Sequence, residues 1–368
     1  MQYKNITITD NGYGGYGVGT LGSGKKVFVP FAVTGDVVNI ELTEDKKNFS
    51  YGKIVEIVKP SLLRDEESYC PHIGVCGGCL FGNIKYSEQV NIKKQIVLQN
   101  FKDFEGFKID DIFVQNPLRY RIKCSIKLKE GGFGFYKFNS REFIKVDDCP
   151  IISENIIKKV KDLSEISQDL TELNFIENTE GEVISNIDNI GYVAFDTFFG
   201  ELLVSANSFF QGNRYLLDKL QQKACSLIGK GGNILELYCG NGFFTVGLAK
   251  SAKAILAVDF DREAIKLARL ADIQNTKFLR YDLNRHFAPS FKFDSLFVDP
   301  SRQGLSKSVI KLIRDKLPEE IVYVSCNPTT MKRDIKNISE FYNIREFYIF
   351  DMFPNTYHIE SVARLERK

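Results

Sequence analysis

No run of 18 apolar residues occurs anywhere in the chain, so a membrane-spanning helix is not expected. The opening segment, MQYKNITITDNG, lacks the apolar h-region of a signal peptide. A cytoplasmic protein with reduced thiols is the expectation. Net charge is only +2, which excludes a surface coated in basic residues but leaves room for a local basic groove. Internal repeats and low-complexity tracts are missing, and nothing points to an obligate protein partner. Tryptophan is absent. Any stacking on bases, as well as most large core volume, must therefore come from 30 Phe and 16 Tyr. What is present is 368 residues, enough for two or three domains, and eight cysteines. In a cytosolic chain those cysteines point to metal binding or catalysis more than to disulfides.

Residues 1–59 carry short β-branched runs, NITITDNGYGGYGVGTL, KKVFVPF, DVVNIEL and YGKIVEIVK, separated by turn residues. That density of strands predicts a small closed OB-like barrel, either structural or a binder of single-stranded nucleic acid. Residues 60–205 hold a cysteine cluster, then an apolar period typical of a helix in YSEQVNIKKQIVLQNF, then mixed and mainly β patterns over 110–200. From 206 to 368 helix and strand alternate: RYLLDKLQQKACSLIG, NILELY, FFTVGLAKSA, AILAVDF, DREAIKLARLADIQ, KFLRYDL, FDSLFVDP, SVIKLIRDKL, IVYVSC, IREFYIFDMF and IESVARLER. This predicts an α/β domain with a mostly parallel sheet, whose ligands bind beyond the carboxyl ends of the strands.

LELYCGNGFF places two glycines between a strand and a helix. A dinucleotide fingerprint would need a third glycine where Thr245 stands, which weakens an NAD reading. Glu236 before the glycines and Asp259 at the end of the next strand suit a ligand with an amino group and a ribose, as in S-adenosylmethionine. Cys70, Cys76 and Cys79 form C-x5-C-x2-C, and Cys149 follows far downstream with Pro150 after it. Four thiolates suit an iron–sulfur cluster or a structural zinc; the single C-x2-C knuckle and the Cys-Pro favour the cluster.

In IVYVSCNPTTMKRDI, Cys326 stands where a strand hands over to a helix capped by Asn327 and opened by Pro328. The helix dipole there would favour a thiolate, although a small buried cysteine is commonly inert.

Together SFFQGN (208–213), LELYCGNG (235–242), FVDPSRQGL (297–305), VSCNPTT (324–330) and FPNTYHIESV (353–362) resemble the uracil-5 RNA methyltransferases. The N-terminal VFVPFAVTGD is similar to their TRAM domain, and CPHIGVCGGC with the distant DDCP resembles their four-cysteine [4Fe–4S] site. The resemblance implies a class I (Rossmann-like) methyltransferase domain over 206–368, a TRAM barrel over 1–59 and a central α+β iron–sulfur domain over 60–205, with about 85–106 packing on the catalytic domain. It implies S-adenosylmethionine held by Gln211, Tyr238, Asp259 and Asp299, a [4Fe–4S] cluster on Cys70, Cys76, Cys79 and Cys149, Cys326 as nucleophile and Glu360 as base. Two positions depart from the pattern. Ser301 replaces a proline, and Phe243 stands where many members carry asparagine. Uracil C5 chemistry fits this equipment, because a thiolate on C6 turns the ring into an enolate and a base must later remove the C5 proton. The target base must also be turned out of the RNA. Members confined to tRNA are typically compact, without barrel or cluster, so 23S rRNA is the expected substrate and the tRNA T-loop uridine the alternative. A nucleotide-linked oxidoreductase and a non-catalytic RNA-binding module are the competing classes. Retention of both Cys326 and Glu360 argues against them.

Overall fold

A computed structural model of the protein describes residues 1–164 and 171–368. The expectation of mixed structure over 110–200 includes 165–170, which lie outside the described residues. The chain forms two compact units: Met1–Gln99 with Gly134–Pro150 and Phe353–His358, and Asn100–Phe133 with Ile151–Met352 and Ile359–Lys368. This division differs from the three domains expected, with their boundaries at 59/60 and 205/206. The reason is that short segments distant in sequence return to the first unit.

The first unit opens with strands β1 (Gln2–Asn11), β2 (Tyr16–Thr20), β3 (Lys26–Pro30), β4 (Val37–Asp45) and β5 (Phe49–Lys59). They close a barrel in the order β1-β2-β3-β5-β4, with β4 pairing back onto β1. Alternate residues point inward, and Ile6, Ile8, Val27, Val29, Val38 and Ile40 fill the interior. At Gly17 a Cβ would lie 2.6 Å from the Ala32 carbonyl oxygen, so the β2 backbone can approach only without a side chain. Fully buried Asp36 ties the barrel to the segment after β5: it accepts from the Val33 and Ser61 N–H groups and pairs with Arg64 at 2.6 Å.

Helix α1 (Tyr86–Phe101) lies in this unit as far as Gln99. Its buried stripe carries two polar residues, Gln89 and Lys93. Both are spent on the segment that leads to the last strand. Gln89 Nε2 donates to Asn355 Oδ1 (3.0 Å) and its Oε1 accepts from Asn355 N–H (2.8 Å), while Lys93 Nζ donates to the Phe353 carbonyl (3.0 Å). Asn355 is left-handed, φ 67°.

In chain order the next elements are β6 (Asp111–Phe113), β7 (Lys123–Lys129), β8 (Gly132–Tyr136), β9 (Phe143–Val146), α2 (Glu154–Ser164), β10 (Thr171–Glu177), β11 (Val183–Ser185), β12 (Val193–Thr197) and β13 (Gly200–Val204). In the second unit β10 pairs with β7 and β11, all antiparallel, and β12 with β13 forms a separate hairpin. The remaining elements are α3 (Leu217–Ser226), β14 (Asn233–Leu237), α4 (Thr245–Leu248), β15 (Ala254–Asp259), α5 (Arg262–Leu270), β16 (Thr276–Arg280), β17 (Ser295–Val298), α6 (Lys307–Lys316), β18 (Glu320–Ser325), α7 (Pro328–Ile338), β19 (Tyr342–Phe350) and β20 (Glu360–Arg367).

An eight-stranded sheet, β16-β15-β14-β17-β18-β20-β19-β6, organises them. β14 to β18 run parallel, and all but the edge strand β16 are buried almost end to end, as a sheet covered on both faces requires. β20 enters antiparallel between β18 and β19. The sequence pattern anticipates seven of these strands. The eighth, β6, is three residues long and parallel to β19, too short to leave a periodic signal. The helix expected over FFTVGLAKSA shrinks to the four residues of α4. Gly247 in its middle packs where a Cβ would meet Cys225 Sγ at 2.7 Å and the Phe199 ring at 2.7 Å.

Candidate active site

The sheet places four strand ends on one rim. β14 is followed by Tyr238, left-handed at φ 64°, and then by Gly240 at φ 56° and Gly242 at φ 92°. The turn closes through Gly242 N–H to the Cys239 carbonyl, 3.0 Å. Asp259, at the end of β15, holds it from the side: Oδ2 accepts from Gly240 N–H and Oδ1 from Asp261 N–H, both 2.9 Å. Asp299 follows β17, and its N–H reaches the Leu237 carbonyl at 3.3 Å. Cys326 follows β18.

Glu360 reaches this rim from the opposite direction. β20 is antiparallel to β18, and Ser361 pairs with Ser325. One step further in that register sets Glu360 beside Cys326. Glu360 is 3% exposed, so the solvated surface carboxylate common near a chain end is not what it is. Its carboxyl is pushed well above the usual range by burial and by Asp299. Asp299 itself is raised to about 8, by burial and by Asp259.

α7 starts as its sequence predicts. Asn327 is extended and its Oδ1 accepts from Thr329 N–H (3.0 Å) and Thr330 N–H (3.5 Å), with Pro328 in the first turn. The thiolate expected from the helix dipole is not the outcome. Burial pushes the Cys326 thiol up to about 12, Glu360 and Asp299 push in the same direction, and Arg302 only partly opposes them. Half a unit of dipole charge does not overcome desolvation beside two acids.

Glu236, inside β14, is 1% exposed. Its Oε2 accepts from Thr245 Oγ1 at 2.6 Å, which gives the residue at the missing third glycine a role, and its Oε1 has no partner. Burial, with Asp299 and Asp259 nearby, raises it to about 8. Gln211 is 4% exposed, and its Oε1 is buried without a partner. Two buried acceptors without donors, and four acids (Glu236, Asp259, Asp299 and Glu360) whose pKa values are raised, fit a ligand that brings cationic and N–H groups. S-adenosylmethionine carries an ammonium and a sulfonium. Tyr238 is half-buried, its hydroxyl accepting from Ser306 N–H at 3.4 Å.

Phe243, one of the two departures, is a core residue here. Its ring meets Phe210 (5.7 Å) and Phe244 (4.9 Å) edge-on. Ser301 is exposed in a loop fastened from α7. Asp334 does the fastening: 1% exposed, it accepts from Leu305 N–H (2.7 Å) and the Tyr323 hydroxyl (2.8 Å) and pairs with Arg333. Gly304 makes room for it, since a Cβ there would lie 2.3 Å from Asp334 Oδ2. Sequence reading passes over Asp334. The available signal is an acid on the same helical face as Met331, Ile335 and Ile338.

The four candidate cluster cysteines lie in the first unit. Cys76 is pushed up by burial, Gly78 N–H points at its sulfur, and Cys70 is close enough to repel it. Gly77 N–H bonds the Tyr136 carbonyl at 3.1 Å, which seats the loop on β8. Among the described residues, however, no group of three or more His, Cys, Asp or Glu side chains is arranged to hold a metal ion. The loop thus offers soft donors and an N–H aimed at sulfur, without a gathered ligand set.

The raised carboxyls carry a testable sign. An unfolded chain releases the Glu236 proton near 4.5, whereas the folded chain holds it to about 8. Between these values the unfolded state binds fewer protons, so this residue costs stability as pH rises through the window. Glu236→Gln, neutral throughout, should gain in thermal midpoint on the wild type between about pH 5 and about pH 8. A difference that stays flat or shrinks across the window would show that Glu236 ionises normally.

Strands ordered with the glycine-turn strand central, the last strand antiparallel, and acids at the ends of the parallel ones define a class I methyltransferase domain. The chain belongs to the RNA uracil-5 methyltransferases: the tRNA (Uracil-5-)-methyltransferase family model matches residues 202–368 and the TRAM domain model residues 1–55. It is an S-adenosylmethionine-dependent enzyme of that family. An uncharacterized RNA methyltransferase of Nanoarchaeum equitans is 31% identical over 96% of this chain and 91% of its own. The 23S rRNA (uracil(1939)-C(5))-methyltransferase of Vibrio parahaemolyticus is 29% identical over 93% and 91%. The solved tRNA (uracil-54, C5)-methyltransferase of Pyrococcus abyssi, bound to S-adenosyl-L-homocysteine, shares the fold with a TM-score of 0.76 at 23% identity, over 99% of this chain and 100% of that one. No helix among the described residues is long and apolar enough to cross a membrane.

Proposed function

We propose that the enzyme methylates C5 of one specific uridine in 23S rRNA through a covalent bond between Cys326 and C6 of the ring, with Glu360 as the base. The observation that carries this reading is that half-buried Cys326, just after β18, and buried Glu360, at the start of the antiparallel neighbour β20, meet at one rim. S-adenosylmethionine, when bound, supplies an electrophilic methyl group. Gln211, Tyr238, Asp259 and Asp299 are the residues that would hold it. The uncommitted Oε1 of Gln211 supports that assignment.

Two protons must move, and two carboxyls stand near the sulfur. Beside the bound cationic donor Asp299 would be ionised, and it takes the Cys326 proton as Sγ bonds to C6, which leaves the ring an enolate nucleophilic at C5. Once C5 carries the methyl group, Glu360 takes the C5 proton, the C5–C6 double bond re-forms, and Sγ leaves. Asp299, raised to about 8, suits this work, because a proton acceptor is most useful when its pKa lies near the operating pH.

The barrel no longer separates the two RNA classes. The Pyrococcus tRNA enzyme matches this architecture along its full length, so the ribosomal reading rests on the Vibrio relative. The tRNA T-loop uridine is the second reading. Methylation of 23S fragments but not of unmodified tRNA transcripts by the purified enzyme is the expected result; the reverse would move the assignment to tRNA and leave the chemistry untouched.

For Cys70, Cys76, Cys79 and Cys149 we infer a [4Fe–4S] site, supported by thiol chemistry, the Cys70–Cys76 proximity and the Gly78 N–H. Protein purified without oxygen should contain about four irons per chain. Cys76→Ser should lower that content sharply, and stoichiometric zinc in place of iron would overturn the assignment.

A further inference from the structure

Away from the rim, the second unit contains a cavity of about 440 Å³ between the end of β10, the start of α2, β12 and the start of α3. That volume falls in the usual range for small-ligand pockets, roughly 300–1,000 Å³. Nothing in the methylation chemistry uses it. Ile122, Phe195 and Leu217 give it an apolar wall, and all three belong to the buried core. Glu177, Glu180, Asp196 and Asp218 also line it, against a single cation among the described residues, Arg214.

Glu177 is the telling residue. It is fully buried, at 0% exposure. Its Oε1 accepts from Asn155 Nδ2 (2.8 Å) and from Arg214 Nη2 (2.5 Å). Its Oε2 is equally buried and has no partner. A carboxylate oxygen withheld from both water and protein carries a desolvation cost that a cationic donor would remove. The neighbouring turn is built around this residue. Gly181, at φ 88°, would bring a Cβ within 2.9 Å of Asn155 Nδ2, so glycine there lets Asn155 reach Glu177. Asn178 Oδ1 fixes the turn by accepting from Glu180 N–H (3.1 Å) and Glu182 N–H (2.8 Å).

Charge decides the ligand class. Four carboxylates against one guanidinium repel phosphate, so the cavity is not a groove for the RNA backbone. Among the described residues no acidic group is arranged to hold a metal ion. A cation with methylene segments satisfies both the acids and the apolar wall. We propose that this cavity binds an aliphatic polyamine, with one ammonium group on Glu177 Oε2 and a second on Asp196. An enzyme working on RNA meets such cations wherever they accompany the phosphates.

The test is a calorimetric titration of the full-length enzyme with spermidine at fixed ionic strength. One saturable site per chain is expected. Glu177→Gln and Asp196→Asn should each weaken it by about tenfold or more, the scale of one charge-assisted contact, while binding of S-adenosyl-L-homocysteine stays unchanged. Absence of saturable spermidine binding, or undiminished affinity in both variants, overturns the proposal. So does binding of an oligolysine peptide without spermidine, which would make the cavity a docking point for a basic protein segment. Asp196 is exposed, so Asp196→Asn keeps the test decisive if Glu177→Gln fails to fold. No turnover is measured, and the result is independent of the roles given to Cys326 and Glu360.

Discussion

Cys326→Ala should abolish RNA methylation, by on the order of 10⁴-fold or more, the scale on which loss of a covalent nucleophile acts. Donor affinity should be nearly unchanged. The expectation follows from position: Cys326 follows β18 and comes just before the start of α7, with Glu360 and Asp299 as its electrostatic neighbours. No second cysteine can take over. Cys239 is the other thiol near the rim, and it is 5% exposed with a pKa well above its ordinary value because of burial. The thiol at position 326 is itself raised to about 12, so the free enzyme carries a protonated sulfur at neutral pH. In the proposed mechanism reactivity is generated in the complex, by transfer of that proton to a carboxyl as the base engages. Turnover near the wild-type rate in an RNA methylation assay would remove Cys326 from the mechanism, whereas lost donor binding would make it structural.

Glu360→Gln should stall the reaction one step later and leave protein covalently joined to methylated RNA. Gln keeps the size of the side chain and its place opposite Cys326 but cannot accept the C5 proton, and without that proton's departure the sulfur cannot leave. A denaturing gel should show a slowly migrating species that survives heating and is absent from the Cys326→Ala, Glu360→Gln double variant. Its persistence in the double variant would assign the nucleophile to another residue. Its absence in Glu360→Gln, with turnover intact, would assign the base elsewhere.

Much of the fold was legible because its signals are local. The β-branched runs of IVYVSC and NILELY, the Asn-Pro start of α7 and the glycines after β14 each act within a few residues, and each element forms where its sequence places it. The closed barrel was likewise readable from turn spacing and alternation. Where the reading missed, the deciding contact was distant in sequence. Gly247 in the short α4 packs against Cys225 and Phe199 with no room for a Cβ, and β6 exists because β19 offers it an edge. Asp334 gave only a faint signal, because its purpose is defined by Leu305 and Tyr323, 29 and 11 residues away.

The sequence by itself determined the chemical inventory: one thiol at a strand-to-helix junction, acids at strand ends, a glycine turn and a cysteine loop. These depend on residue identity and short-range geometry, which a chain carries before it folds. Only the tertiary structure decided which groups meet and in what state. The antiparallel entry of β20 puts Glu360 beside Cys326, across 34 residues of chain. Burial of the thiol itself, with Glu360 and Asp299 beside it, then reverses the direction expected for the thiol. The reason is physical. Desolvation and charge–charge energies depend on every atom packed around a group, and that surrounding is assembled from segments far apart in the sequence.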